Sequence, residues 1–128
     1  MSAQRPRTAL ARRHIYEDAL RVLEADYGAP LELDDVARRI ATSRRQLQRV
    51  FAEVGDTTFR ARLTEVRLDR AAELLHEAPY LPVREVARRV GYRQPAQFAK
   101  SFRRRHGASP AEYRAGRPRV APGLRAAA

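Results

Sequence analysis

Apolar residues recur every three to four positions along the chain, and the strict alternation of a half-buried strand is absent. Ala, Leu, Arg and Glu dominate, all good helix formers. The pattern predicts about seven helices and no sheet. The first covers about 9–27, with Ile15, Ala19, Val22, Leu23 and Tyr27 as its stripe, and Gly28 and Pro30 end it. A short second helix, about 33–40, turns Val36, Ala37 and Ile40 inward. The third opens at Ser43, where Ser43-Arg44-Arg45-Gln46 fits a capping box, and its stripe is Leu47, Val50, Phe51 and Val54. The fourth runs over about 58–77, with Leu63, Val66, Ala71, Leu74 and Leu75 inward. A fifth is predicted over about 83–90 and a sixth over about 95–106. The seventh opens at Ser109-Pro110-Ala111-Glu112, a second capping box with Pro where no N–H is needed. Gly28, Gly55, Gly91 and Gly107 each sit where an apolar period stops. Periodicity is missing from 1–8 and from 116–128, read as a flexible arm and a disordered tail.

The pattern also repeats. LDDVARRIATS, from Leu33, answers VREVARRVGYR, from Val83, at a shift of 50. QLQRVF then answers QFAKSF at a shift of 51, pairing Leu47 with Phe98 and Phe51 with Phe102. Each copy is a short helix, a tight turn and a longer helix: the helix-turn-helix unit, whose second helix can lie in the major groove of DNA. The expected architecture is all-α. Two such units, 9–57 and 79–115, are joined by a long linker helix, 58–78.

At about 100° per residue, Arg45, Arg49 and Ala52 fall opposite the Leu47–Phe51 stripe, flanked by Gln46 and Gln48. In the second copy Ala96, Lys100 and Arg103 fall opposite Phe98 and Phe102, flanked by Gln97 and Arg104. A long-reach cation therefore recurs at one place, Arg49 and Lys100. The guanidinium fork suits guanine O6 and N7, and Gln amides suit adenine.

Charge sharpens this picture. The chain carries 26 basic and 15 acidic residues, a net of +11. Lys100 is the one lysine, so part of the arginine excess reads as generic surface. Position says more than total. Residues 81–128 hold twelve basic residues against Glu85 and Glu112, and Arg38, Arg39, Arg44, Arg45 and Arg49 stand together without an acid among them. Such clustering is the footprint of a polyanion partner. For Arg38-Arg39 and Arg88-Arg89, phosphate contact and plain solvation stand equally open.

The segments LELDDVARRIATSRRQLQRVF, RLTEVRLDRAAELL and VREVARRVGYRQPAQFAKSFRRRHGASPAEYR resemble the AraC/XylS family of bacterial transcription regulators over about 15–114. The resemblance implies two helix-turn-helix units entering successive major-groove segments of a promoter. The family's base-reading positions fall on Arg45, Gln46, Gln48 and Arg49, and on Gln94, Ala96, Gln97 and Lys100. Phosphate contacts are expected from Ser43, Arg44, Arg93, Arg103 and Arg104. With no sensor region in the sequence, the chain is most similar to the single-domain MarA/SoxS type, with activation through RNA polymerase implied. Double-stranded DNA is the expected partner, RNA polymerase a further one, and no cofactor is implied. One chain is expected to bind an asymmetric site about two turns long, since two unlike units already supply what a dimer of single units supplies.

The sequence departs from the family pattern at several points. Ala41 stands where Gly is usual, a strain only if the turn needs positive φ. Gly55 comes one residue early, which leaves Asp56 at the helix-ending position. Arg62 replaces a frequent aromatic. Pro95 and Ala96 stand where polar groups are frequent, and Ala96 offers at best a methyl contact, so the second unit is expected to grip phosphates more than it reads bases.

Cysteine is absent, which excludes a disulfide scaffold, cysteine zinc sites, iron–sulfur ligation and a thiol nucleophile. The DNA-repair methyl-acceptor proteins that carry this domain need such a cysteine, so no enzyme is expected. His14, His76 and His106 are too dispersed for a metal set, and His106 is expected to be partly buried. Asp34-Asp35 reads as helix capping, and Phe51, Phe98 and Phe102 as core rather than stacking platforms for single strands. No secretory signal or membrane span is evident, so the expected place is the bacterial cytoplasm, in association with the nucleoid. A low-specificity nucleic-acid module is the alternative, and the acidic Glu17, Asp18, Glu24 and Asp26 of the first helix suit contact with a protein.

Overall fold

A computed structural model describes residues 8–116, so the arm and tail expected at the ends lie, but for Thr8 and Gly116, outside the described residues. Among the described residues there are seven helices and no strand. They are α1 (Ala9–Asp26), α2 (Leu33–Arg39), α3 (Arg44–Glu53), α4 (Phe59–Glu77), α5 (Val83–Arg89), α6 (Pro95–His106) and α7 (Pro110–Arg114). The chain forms two compact units, Met1–Val66 and Arg67–Ala128, and the division falls inside α4.

In the first unit α1 packs against α2 and α3. Ala19, Leu23, Val36, Leu47, Phe51 and Leu63 are fully or almost fully shielded from water. Phe51 lies edge-on to Tyr16 of α1, with ring centres 5.3 Å apart, and to Phe59 of α4, 6.0 Å apart. At seven residues, α2 is too short to persist alone. Its start is closed by a reciprocal capping box between Glu32 and Asp35. Its end is closed by the turn. Thr42 N–H donates to Ala37 O at 2.9 Å and Ala41 N–H to Arg38 O at 3.3 Å, the paired bonds of a Schellman exit. That exit puts Ala41 at φ 57°, so the strain foreseen for a residue other than glycine there is present.

The second unit repeats the device. Tyr92 N–H donates to Ala87 O and Gly91 N–H to Arg88 O, with Gly91 at φ 102°. The positive φ favours glycine here, and a Cβ would also sit 2.8 Å from Nε of Arg67, whose side chain would have to swing aside. One extra residue follows the turn, so the helix caps Ser43 and Gln94 are 51 apart while the turns are 50 apart. The repeat runs further than QFAKSF. Asp56 (φ 53°) answers Gly107 (φ 80°). Thr58 answers Ser109, and each hydroxyl accepts from the N–H three residues on, of Ala61 at 3.0 Å and of Glu112 at 3.1 Å.

Phe51 and Phe102 are equivalent in the repeat, yet their aromatic neighbours come from different places. Phe102 meets Tyr113 of α7 edge-on at 5.3 Å. The residue answering Tyr113 is Arg62, which pairs with Glu65 instead, and Phe51 takes Tyr16 of α1. Gly55 makes room for that ring, since a Cβ there would lie 2.4 Å from the Tyr16 hydroxyl. His106, in the place answering Gly55, is partly buried and leans on Phe102 and Tyr113.

Several expectations need correction. The second and fifth helices stop at Arg39 and Arg89; Ile40 and Val90 are their caps. Ser43 caps α3, but Gln46 does not return the bond, because its Oε1 accepts from the Thr42 hydroxyl at 3.0 Å. On α4, Leu74 is only half-buried, whereas Phe59, Leu68 and Ala72 join the core.

Candidate nucleic-acid interface

With Leu47, Val50 and Phe51 sunk in the core of the first unit, helical geometry turns the opposite face of α3 outward. Arg45, Gln48, Arg49 and Ala52 are exposed there. Gln46 is half-buried, and its bond from Thr42 leaves only its NH₂ group to donate outward. Ser43 accepts from Gln46 N–H at 3.0 Å, and Arg44 lies 3.5 Å from Asp34.

In the second unit Phe98 and Phe102 are buried, and Gln94, Ala96, Gln97 and Lys100 are exposed along α6. Pro95 occupies the first helical position and Gln94 makes no side-chain cap. Arg93, Arg103 and Arg104 are exposed too, and Arg103 lies 3.8 Å from Glu112. Arg105 is turned to Asp69, donating from Nε at 2.6 Å and from an NH₂ at 2.9 Å.

The basic residues therefore fall into two sets. Arg38 donates to Asp35 at 2.8 Å, Arg39 pairs with Asp26, and Arg88 and Arg89 share Glu85. These are exposed pairs of small worth, so phosphate contact and solvation both stay open for the four residues, with a carboxylate to be displaced first. The carboxyl of Asp35 is held below its usual range, chiefly by the backbone N–H of Glu32 and then by Arg38. Glu85 is likewise held low by hydrogen bonds from Arg88 and Arg89. By contrast, among the described residues no hydrogen bond or ion pair engages the side chains of Arg45, Arg49, Arg93, Lys100 or Arg104. An unpaired exposed cation meets an anion without first giving up a carboxylate, and it leaves no carboxylate nearby to repel one.

Beside the outer face of α3 lies an open groove that sequence reasoning did not find. Arg45, Gln48, Arg49 and Ala52 form one side; Thr57, Thr58, Phe59 and Arg60, at the start of α4, form the other; Leu33 lies between. No local signal marked it, because its second side reaches α3 only through the turn at Asp56. Among the described residues no helix is long and apolar enough to cross a membrane.

Residues 36–116 match the family model described as a helix-turn-helix domain. Among solved structures, the chain resembles a transcriptional regulator of the AraC-type DNA-binding domain-containing proteins from Chromobacterium violaceum. The TM-score is 0.78 at 29% identity, over 89% of this chain and 99% of that one. It also resembles the DNA-binding domain of AdpA, a global transcriptional factor solved in complex with a target DNA, with TM-score 0.72 and 30% identity over 80% and 90% of the two chains. The HTH-type transcriptional regulator CdhR of Pseudomonas aeruginosa is 39% identical over 73% of this chain, which corresponds to 27% of CdhR. The Msm operon regulatory protein of Streptococcus mutans is 29% identical over the same share, 34% of its own length. The chain thus spans about a quarter to a third of these curated relatives.

Proposed function

The chain belongs to the AraC-type helix-turn-helix family of DNA-binding transcriptional regulators, and on that premise we propose that it recognises promoter DNA by inserting α3 and α6 into successive major-groove segments. The observation that carries this reading is the placement of unpaired cations. Arg45 and Arg49 on α3, and Lys100 on α6, occupy the exposed faces of the two second helices, while most neighbouring arginines hold carboxylates.

In this reading Arg45 and Arg49 reach base edges, with Gln48 and the NH₂ group of Gln46 beside them. Gln94, Ala96, Gln97 and Lys100 occupy the same role on α6. Ser43, Arg44, Arg93, Arg103 and Arg104 contact phosphates. Arg44 and Arg103 have loose carboxylate neighbours, at 3.5 and 3.8 Å, which are exposed pairs of small worth and easily exchanged for phosphate. One chain occupies one asymmetric site, because the α3 and α6 faces differ. Activation through RNA polymerase would use a surface away from DNA, and the outer side of α1, with Glu17 and Glu24 exposed, is suited to a protein rather than to a polyanion. Low-specificity binding is the second reading, favoured by Ala96, which has no polar group to offer a base.

A band-shift series against salt, on the preferred site, tests the electrostatic part. With about six phosphate contacts, log K should fall with log salt at a slope of roughly −5. A slope near zero for specific binding contradicts the reading. Stoichiometry in the same assay tests the monomer: two chains on a palindromic minimal site would refute it.

A further inference from the structure

The groove beside α3 has a composition that its place in the helix-turn-helix unit does not require. Its base is apolar, with Leu33 and Phe59 nearly buried. Its rim carries Arg45, Arg49 and Arg60. Two of these have no ion pair among the described residues, and the third meets Glu32 only at 3.8 Å, with both side chains about two-thirds exposed. Three guanidinium groups thus line one slot beside the reading helix, and the carboxylate that Arg60 meets belongs to Glu32, outside the lining.

The repeat shows that this is a property of one unit. Thr58 and Ser109 are equivalent helix caps, so Arg60 answers Ala111. In the second unit that place holds a methyl group, and the next residue, Glu112, adds a negative charge where Arg103 partly offsets it at 3.8 Å. The first unit carries a cationic edge where the second carries a neutral-to-acidic one.

Resting on the function proposed above, we infer that this groove seats the sugar–phosphate backbone of one DNA strand flanking the segment entered by α3, with Arg60 as its phosphate ligand. The apolar base suits deoxyribose, and the guanidinium rim suits the phosphates on either side. Arg60 lies outside the helix-turn-helix proper, on the first turn of α4. Its contact would fix the angle at which α3 enters the groove, without reading a base.

The test measures binding of the full chain to its preferred duplex and to an unrelated duplex over a salt series. Arg60→Ala should weaken both about fivefold to twentyfold. The slope of log K against log salt should become shallower by about 0.9. Arg60→Lys should recover much of the loss. Arg13→Ala, which removes an equal charge from α1, should stay within about twofold of wild type. Glu32→Gln, which keeps an acceptor for the α2 cap but removes the carboxylate that lies 3.8 Å from Arg60, should tighten binding about twofold to threefold. Arg60→Ala that binds like wild type would overturn the groove assignment and leave the regulatory reading standing. Equal losses in Arg60→Ala and Arg13→Ala would overturn it as mere bulk charge. A changed base preference in Arg60→Ala would overturn the backbone role. A wild-type chain that prefers no sequence, with the Arg60 effect intact, would sink the specific-regulator reading and keep the groove.

Discussion

The two helix-turn-helix units share a backbone plan and differ in what they hang on it. Their short helices are seven residues each, their turns close with the same pair of hydrogen bonds, and their third helices start from equivalent hydroxyl caps. The first unit, however, tolerates Ala41 in a left-handed turn, fills the space against Phe51 with a ring from α1, and presents two unpaired arginines on α3 beside a third on α4. The second keeps glycine at its turn, packs Phe102 against its own α7, and presents Ala96 and Lys100 on a helix that ends in a run of arginines. The difference teaches that duplication preserves the hydrogen-bonded frame, while the outer face of the second helix is free to diverge. On the proposed function, bases are read mainly by the first unit, and the second contributes grip.

The largest expected effect on stability falls on the frames. Gly91→Ala should destabilise the chain by about 1–2 kcal/mol in chemical denaturation, because of left-handed backbone strain, while the Arg67 guanidinium can swing aside. The matching change in the other unit, Ala41→Gly, relieves strain with nothing to displace. It should stabilise by about 0.5–1 kcal/mol after the entropy of a freer unfolded chain is subtracted. Effects of the same sign for the two changes would break the equivalence of the turns.

Next come the outer faces. Arg49→Ala should cost about 1–3 kcal/mol on the preferred site and relax one base position. Lys100→Ala, at the equivalent place, should cost about 0.5–1 kcal/mol with little change in preference, as an ammonium lacks the guanidinium's two-pronged geometry. Competition band shifts against single-base site variants separate the two outcomes. Arg104→Ala should weaken all sequences about equally.

The smallest effect is on acid stability. The folded carboxyls of Asp35 and Glu85 sit below their usual values, so near pH 4 the unfolded chain binds more protons than the folded one. Their contribution is complete above the usual carboxylate range and is lost as the pH falls through the lowered folded values. Thermal melts should therefore drop on acidification below about pH 4.5, and less steeply in Asp35→Asn and Glu85→Gln. A wild-type melt that is flat from pH 5 to pH 3 would contradict the lowered carboxyls of Asp35 and Glu85.

Much of this frame was legible from the chain. The extent of α6, the caps at Ser43 and Ser109, the outward turn of Arg45, Arg49 and Lys100, and the burial of Phe51, Phe98 and Phe102 follow from helical periodicity and cap chemistry. What stayed hidden depended on distance in sequence or on unfavoured cap residues. Arg39 finds Asp26 thirteen residues back, a contact that no local spacing announces. Asp35 caps α2 as its place at the helix start suggests, but its partner Glu32 stands where Ser, Thr, Asp or Asn is preferred, so the sequence does not mark the reciprocal box. Arg38–Asp35 and Arg88–Glu85, three residues apart on one helix, are pairs that local spacing does announce. The groove at Arg60 needed the fold, because its two sides come from separate helices.

The central claim is that readout is unequal between the units, and selection of bound sequences from random duplex DNA measures it most directly. The account predicts one asymmetric motif with a strongly specified half, whose preferences relax in Arg49→Ala, and a weakly specified half that Lys100→Ala barely alters. Two equally specified halves, a palindrome, or a motif that survives Arg49→Ala unchanged would contradict it.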